Sequence, residues 1–171
     1  MQPNYPDYSL FFRFIETYAP VGFKGINPED QLMLELEKMT EKNNQFFFVG
    51  DLLKIKIIFC SKQSTQMIGV DPENITPYDL TVATHRDDAN RMGLGTTKVI
   101  NLANNIYIAG KGTALLSTNI RIRNPHGKYP DLLFQLYLFY TTVPYKSVLL
   151  LQVHTNIDSY KKRKRGHHYY V

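Results

Sequence analysis

Histidine and cysteine are the residue types of this chain that could bind a metal or act as nucleophiles, and they are few and scattered. Cys60 is the one cysteine, so it can form neither an internal disulfide nor a thiolate metal site by itself. The five histidines are His85, His126, His154, His167 and His168. The last two are adjacent, but a zinc site needs a third and a fourth ligand. We therefore expect no metal site, a buried apolar role for Cys60, and structural or solvated histidines.

The sequence motifs of common catalytic sites are missing from the chain. It contains no G-x-S-x-G, no phosphate-binding loop, no dinucleotide-binding glycine pattern and no H-E-x-x-H. Asp87 and Asp88 could suggest a pair of catalytic acids. However, helix capping explains both acids, because the order Thr84, His85, Arg86, Asp87 is typical of a capping box with Thr84 as the cap. We therefore predict that the chain is not an enzyme.

The net charge of +5 is concentrated near the end of the chain. Residues 161–165 read KKRKR and supply five positive charges, so the other 15 basic residues balance the 15 acidic ones. A neutral body argues against a broad phosphate-binding face. Five charges in a row are more typical of a solvated linker or helix end.

The chain shows no sign of a membrane segment. No apolar stretch approaches the roughly 20 residues that a helix needs to span a bilayer. The first residues lack the basic region and apolar run of a signal peptide. We expect no membrane association and a cytoplasmic location.

Residues 1–44 predict a helical cap. A first helix would place Phe11, Phe14 and Tyr18 on one face, with Ser9 as its cap. Asn27 and Pro28 would start a second helix, because asparagine caps helices and proline suits the first helical position. This second helix would have an apolar stripe formed by Leu32, Met33, Leu36 and Met39.

The pattern then changes to period two, which predicts strands. Expected strands cover 45–49, 54–60, 114–123, 131–140 and 147–157, with short helices and a longer helix at about 96–109 between the second and third strands. Short connections favour antiparallel hairpins. The sequence thus predicts an α+β domain with a five-stranded antiparallel sheet, helices on one face and an N-terminal helical cap.

Both faces of the strand at 131–140 are apolar. Phe134 and Leu136 would lie on one face, and Tyr137 and Phe139 on the other. A sheet with two apolar faces must be covered on both sides. The central helices would cover one face, and the N-terminal helices or a second subunit would cover the other.

Several motifs resemble those of PAS domains, as does the order of elements. In this chain, the segment that resembles the opening hairpin and first helix of PAS domains is FFFVGDLLKIKIIFCSKQSTQMIGV. The segment that resembles their closing strand is LLLQVHTNID. Residues 84–88, THRDD, are similar to the His-Pro-Asp-Asp turn of these domains, with Arg86 where proline is usual. The resemblance covers residues 45–158.

Longer stretches are similar to the N-terminal sensory domain of a group of LuxR-type transcriptional regulators. They include GINPEDQLMLELEKMTEKNNQ, RNPHGKYPDLLFQLYLFY and LLLQVHTNID. In that group a helix-turn-helix DNA-binding domain follows, and GHHYYV resembles its lead-in. The resemblance implies a helical cap at 1–44, a sensory domain at 45–158 and a basic linker at 159–171. We expect a homodimer that is part of a longer protein and contacts DNA through a C-terminal domain.

The cofactors of known PAS domains each need particular residues. Flavin-photoreactive members use a cysteine in an Asn-Cys-Arg-like motif, which this chain lacks. Haem-binding members use an axial ligand on the long helix, and 96–109 contains no histidine. Neither flavin nor haem is therefore predicted.

A pocket between the sheet and the long helix remains as the candidate site. A few polar residues in an apolar cleft orient a small ligand. By alternation, the predicted ligand-binding residues are Asn101, Asn105, Thr118, Gln135 and Tyr137. A filled core with a purely dimerising role is the alternative for this pocket.

The favoured function is a sensory domain that binds a small ligand or dimerises, and so controls an attached helix-turn-helix domain. The alternative is a stand-alone PAS protein–protein interaction module. An enzyme of unrecognised type is the remaining hypothesis.

Overall fold

The strands form one antiparallel sheet whose spatial order differs from their order in sequence. The computed structural model describes residues 9–109, 113–139, 148–159 and 167–170. The strands are β1 (Gln45–Asp51), β2 (Lys56–Cys60), β3 (Thr113–Arg121), β4 (Asp131–Phe139), β5 (Leu149–Asn156) and β6 (His167–Tyr170). They are arranged β2-β1-β5-β4-β3-β6. The predicted α+β class and antiparallel sheet are confirmed, and β6 extends the expected five strands.

Two groups of helices flank this sheet. The helices are α1 (Ser9–Tyr18), α2 (Gln31–Lys42), α3 (Gln63–Ile68), α4 (Pro77–Ala83) and α5 (Arg86–Ala109), with a 3-10 turn at Ala19–Val21. The segment from α3 to α5 carries the chain from β2 at one edge of the sheet to β3 on the other side. Strand β5, the last of the five expected strands, lies between β1 and β4.

The N-terminal helices cover one face of the sheet, which we call the cap face. Phe14, Phe23, Met33 and Leu36 are fully or almost fully buried there against β1 and β5. The ring of Phe14 meets that of Phe47 edge-on, with centroids 5.5 Å apart. Removing such side chains from water contributes about 25 cal/mol per Å² of apolar area. This arrangement confirms that both faces of the sheet are covered, and that the chain's own helices cover the second face.

The opposite face, which we call the cavity face, packs against α3, α4 and α5. Strands β1, β3, β4 and β5 contribute buried side chains to this face, and these include Phe48, Leu116, Ile120, Phe134 and Leu150. Strand β5 contributes to both faces, since Leu149, Leu151 and Val153 lie on the cap face while Leu150 lies on the cavity face. This alternation follows from the period of two residues in a strand.

Helix α2 begins later than predicted. Its N-cap residue is Asp30. Asn27 instead closes a turn before the helix, because its side-chain oxygen accepts a hydrogen bond from the Glu29 backbone N–H at 3.0 Å. The side chain of an asparagine can bond to the backbone two residues further along the chain instead of capping a helix. The predicted start of this helix was therefore wrong.

The predicted capping box at Thr84 is also not formed. The hydroxyl of Thr84 donates to the Leu80 carbonyl at 2.8 Å, at the end of α4. The imidazole of His85 caps α5 instead, since its Nδ1 accepts from the Asp87 N–H at 3.2 Å. A capping box does occur in α4, where Thr76 and Asp79 bond reciprocally. The hydrogen bond from the Thr76 side chain is the main cause that lowers the pKa of Asp79.

The C-terminal part of the chain adds strand β6 to the edge of β3. Thr118 is paired with His167, and Leu115 with Tyr170. The predicted linker at 159–171 therefore contains a strand, which satisfies backbone groups that β3 would otherwise leave unpaired. The basic run at 161–165 lies outside the described residues.

Membrane-spanning helices were searched for in the described ranges. None of the helices there has both the length and the hydropathy to cross a bilayer.

Candidate functional site

A cavity of about 540 Å³ separates the cavity face of the sheet from α4 and α5. Its floor is formed by side chains of the strands, namely Phe48, Ile120, Phe134, Leu150, Gln152 and His154. Its roof is formed by residues of the two helices, namely Leu80, Ala89, Met92, Gly93, Thr96 and Ile100. Sites for small molecules usually measure about 300–1,000 Å³ and are mostly apolar. The cavity therefore has the size and lining of a ligand site.

The turn between β1 and β2 forms part of the cavity rim. Leu53 and Ile55 line the cavity and are nevertheless exposed. Ile55 has φ = 50°, a left-handed conformation that is strained for a β-branched residue. The buried carboxylate of Asp51 holds the turn, because its Oδ1 accepts from the backbone N–H groups of Leu53 at 3.0 Å and Lys54 at 3.1 Å.

Three threonines line the cavity with hydroxyl protons that are already used. Thr81 donates to Pro77 O at 3.0 Å, Thr84 to Leu80 O, and Thr96 to Met92 O at 2.9 Å. Each hydroxyl thus bonds to the preceding helical turn. In this arrangement each hydroxyl can accept a hydrogen bond from a ligand but has no proton left to donate.

A glutamine and a histidine on β5 form the polar part of the floor. The Nε2 of His154 lies 3.3 Å from the Oε1 of Gln152. The imidazole is stacked on Phe46 at 4.4 Å between centroids and meets Phe134 edge-on at 5.3 Å. Burial lowers the pKa of His154 from 6.5 to about 3, so the ring is neutral at pH 7. Its Nδ1 is buried and has no hydrogen-bond partner among the described residues.

An ion-pair cluster fixes the start of α5 to β3. The buried carboxylate of Asp88 accepts from the Arg121 backbone N–H at 2.9 Å and from its Nε at 3.0 Å, and lies 3.4 Å from Arg91 Nη2. Arg91 also donates to the Thr118 hydroxyl and to the Asn119 carbonyl. The hydrogen bond with Asp88 is the main cause that raises the pKa of Arg121. The capping role predicted for Asp88 is therefore wrong, since this side chain binds β3.

None of the five predicted ligand-binding residues lines the cavity. Thr118 is buried on the cavity face, but Arg91 occupies its hydroxyl. Gln135 and Tyr137 lie on the cap face, because Thr118 pairs with Phe134 and the next residue must point the opposite way. Asn101 and Asn105 are exposed on α5. Alternation within single strands did not align the faces of β3 and β4, and so it grouped Thr118 with residues of the opposite face.

Gln152 and His154 were missed by the sequence analysis. The signal for them is present in the alternation of β5, where positions 150, 152 and 154 must share a face with one another and oppose positions 149, 151 and 153. On α5 it is Asn104, not Asn101 or Asn105, that lines the cavity.

Within the described ranges, Cys60 and the acidic and histidine side chains do not assemble into a metal site. No group of three or more histidine, cysteine, aspartate or glutamate residues is close enough to hold a metal ion in the parts of the chain that the structure describes. Burial raises the pKa of the Cys60 thiol to about 12. The thiol is therefore protonated at neutral pH and is a poor nucleophile.

The fold resembles solved PAS domains. The PAS domain of a protein from Colwellia psychrerythraea matches 75% of this chain and 99% of its own length, with a TM-score of 0.50 and 19% identity. An RNA-binding light-oxygen-voltage receptor matches at a TM-score of 0.48 and 16% identity, over 70% of this chain and 31% of that one. The N-terminal domain of a diguanylate cyclase with a PAS/PAC sensor from Marinobacter aquaeolei matches at 0.44 and 12%, over 67% and 96%.

No protein-family model matches the sequence, and no curated protein does. The likeness to the Colwellia domain, at 19% identity, concerns the fold alone. The chain has a PAS-like α+β fold with helices on both faces of the sheet.

Proposed function

We propose that this chain is the sensory part of a LuxR-type transcriptional regulator, and that a small molecule bound in the cavity controls an attached helix-turn-helix domain. The observation that supports ligand binding is the cavity of about 540 Å³ under α5. Its volume lies in the range of small-molecule sites, and its lining is mostly apolar with a few polar side chains. The attachment to a LuxR-type DNA-binding domain is supported by the sequence resemblance.

The position of α5 supports a route from the cavity to the C-terminal side of the chain. Ala89 and Met92 line the cavity, while Asp88 and Arg91 on the same turns of α5 bind β3. Strand β3 in turn holds β6. A ligand that binds two positions of α5 unequally would therefore shift the C-terminal segment between two states.

A stand-alone protein–protein interaction module is the second candidate. It is favoured by exposed apolar side chains on α4 and α5, where Tyr78 is 75% and Leu94 69% exposed. Exposed apolar side chains are available for contact with a partner. In either role we propose a homodimer.

The neutral fluorescent probe N-phenyl-1-naphthylamine tests ligand binding. Gly93 is an exposed lining residue of the cavity and has room for a Cβ, so Gly93→Leu adds an apolar side chain at the cavity wall and favours the helix. We expect saturable 1:1 binding to the wild type that Gly93→Leu weakens by about tenfold or more, or 1.4 kcal/mol.

The matched control is Thr97→Leu, at an exposed position of the same helix that does not line the cavity. It should bind the probe like the wild type. Equal binding by the wild type and Gly93→Leu would contradict a ligand site in this cavity.

The attachment to a DNA-binding domain is tested by reading the gene beyond the codon for Val171. A LuxR-type regulator requires the frame to continue for roughly 60 or more residues with helix-turn-helix periodicity. A stop codon directly after Val171 would leave the chain without a DNA-binding part and favour the interaction module.

A further inference from the structure

The rim of the cavity carries apolar residues that are exposed to solvent. Leu53 and Ile55, in the turn between β1 and β2, and Ile100 on α5 line the cavity, and all three are exposed. The apolar surface therefore continues from the inside of the cavity to its opening. A ligand that fills the cavity can extend along this surface to the solvent.

The turn that carries Leu53 and Ile55 is fixed on the cavity side of the sheet at both of its ends. Leu52 and Ile57 are partly buried and pack against the buried side chains of the cavity face. The Leu52 N–H also donates to the carbonyl of Val148, another lining residue, at 2.8 Å. Because both ends of the turn are anchored, Leu53 and Ile55 are held beside the opening of the cavity.

Ile55 has a strained backbone conformation although its side chain is largely exposed. Three described residues other than glycine have a positive φ, namely Phe23, Asn44 and Ile55. Phe23 is buried and stacks on Phe14, and asparagine tolerates this conformation. Ile55 is β-branched and 73% exposed, so neither reason applies to it. Such strain clusters at positions that hold a ligand or shape a site, which indicates that the side chain of Ile55 serves the cavity.

The rim is also the part of the cavity that best accommodates a polar group of a ligand. Of the described lining residues, Asp51 and Lys56 carry a charge. The Asp51 carboxylate is engaged by two backbone N–H groups of the turn, and Lys56 is exposed. A polar group that leaves water without gaining a partner costs free energy, whereas at the rim it stays hydrated. The favoured orientation of a ligand therefore places its apolar body inside and its polar end at the rim.

We propose that the cavity binds an amphiphile with an elongated apolar body and one polar end group. The apolar body fills the cavity, the part next to the polar end lies against Leu53 and Ile55, and the polar end itself is in solvent. This inference rests on the proposed function, because it requires that the cavity holds a ligand.

Alkyl compounds that differ in end group or in chain length test this orientation. They are 1-decanol with a small polar end, n-decyl maltoside with a large one, and n-octyl maltoside with a shorter chain. Each displaces N-phenyl-1-naphthylamine from the full chain, at concentrations below its micelle threshold. Because the polar end is not enclosed, we expect the affinities of the two decyl compounds to agree within about threefold. Octyl maltoside should bind about tenfold more weakly than decyl maltoside, because it buries two CH₂ groups fewer.

Two variants test the rim residues. Ile55→Asn removes the apolar side chain but suits the left-handed backbone, and Leu53→Gln makes the neighbouring rim position polar. Each should weaken decyl maltoside by about threefold or more and leave naphthalene, a compact ligand without a polar end, unchanged. Leu94→Gln, at an exposed position of α5 that does not line the cavity, is the matched control and should change neither affinity. Ile55→Asn should also resist urea at least as well as the wild type.

The outcomes distinguish this inference from the proposed function. If decyl maltoside binds more weakly than that range allows, or no more tightly than octyl maltoside, the amphiphile does not lie as described. Unchanged binding by both rim variants would show that the rim does not contact the ligand. A loss of stability in Ile55→Asn, or its conversion from a dimer to a monomer in sedimentation, would assign Ile55 to the fold or to an interface.

Each of these results overturns the inference and leaves the cavity site in place. If naphthalene displaces the probe and none of the alkyl compounds does, the ligand class is wrong, and again the cavity site stands. If N-phenyl-1-naphthylamine itself does not bind, the proposed function fails and this inference fails with it.

Discussion

At the scale of single residues, the environment of His154 decides its chemistry. Its ring lies against Phe46, Phe48 and Phe134, and no described acidic side chain forms an ion pair with it. The charged form of the ring loses its hydration there without compensation, which is why burial lowers its pKa to about 3. His154 therefore acts as a neutral hydrogen-bonding group and not as a cation.

This pKa makes the stability of the domain depend on pH. Between pH 6.5 and 3 the unfolded chain binds a proton at His154 that the folded chain does not. The free energy of unfolding should therefore fall as the pH is lowered through that range, by up to about 1.4 kcal/mol per pH unit from this group. Urea denaturation at pH 7 and pH 5 measures the loss.

The variant His154→Phe isolates this contribution from the other titrating groups. It should lose less stability than the wild type between pH 7 and pH 5, while His126→Phe should lose as much as the wild type. Parallel pH dependences of the wild type and His154→Phe would show that His154 is not buried in its neutral form.

The neighbouring acids Asp87 and Asp88 should respond very differently to neutralisation. The Asp88 side chain is 3% exposed and bonds to Arg121, whereas that of Asp87 is 71% exposed. Asp88→Asn should lower the free energy of unfolding by about 3 kcal/mol, because it leaves partly buried arginines without their partner. Asp87→Asn should change it by less than about 0.5 kcal/mol. Equal effects in chemical denaturation would contradict the ion-pair cluster.

At the scale of elements, strands were easier to predict than helix starts. The predicted strand at 131–140 and the observed Asp131–Phe139 agree almost residue for residue, because a short and mostly apolar run is typical of a strand that is covered on both faces. Helix α5 begins at Arg86, well before the predicted start at about 96. Gly93 and Gly95 each weaken a helix by about 1 kcal/mol, so the sequence indicated a break there.

Tertiary contacts outweigh these glycines in α5. Gly95 is buried, and Met92 packs against the cavity-face cluster. Asp88 and Arg91 bind β3 from the same helix. None of these contacts can be inferred from local propensity, and the same limit applies to the site residues. Their faces depend on the register between β3 and β4, which alternation within one strand does not fix.

The packing of α1 on the cap face leads to a test with two phenylalanines of that helix. Phe14 is completely buried, whereas Phe12 is 65% exposed. Phe14→Ala should lower the free energy of unfolding by about 3–5 kcal/mol through the cavity it creates. Phe12→Ala should have an effect within about 0.5 kcal/mol. If thermal and urea denaturation give the same loss for both, α1 does not cover the sheet as described.

At the scale of the whole molecule, the sheet has a buried cluster on one face and a cavity on the other. Helices α1 and α2 close the cap face around buried aromatic side chains, while the other face leaves a cavity under α5. Helix α5 connects that cavity to β3 through Asp88 and Arg91, and β3 pairs with β6. The proposed function therefore requires that ligand binding in the cavity changes β6, the strand at the edge of the sheet.

Amide hydrogen exchange of the full chain, with and without saturating N-phenyl-1-naphthylamine, tests this requirement most directly. We expect slower or faster exchange not only in α5 but also at 115–118 of β3 and 167–170 of β6, and we expect Asp88→Asn to abolish the change in β6. Changes confined to the residues that line the cavity, with β3 and β6 unaffected, would contradict the account, since ligand binding would then have no route to the C-terminal side of the domain.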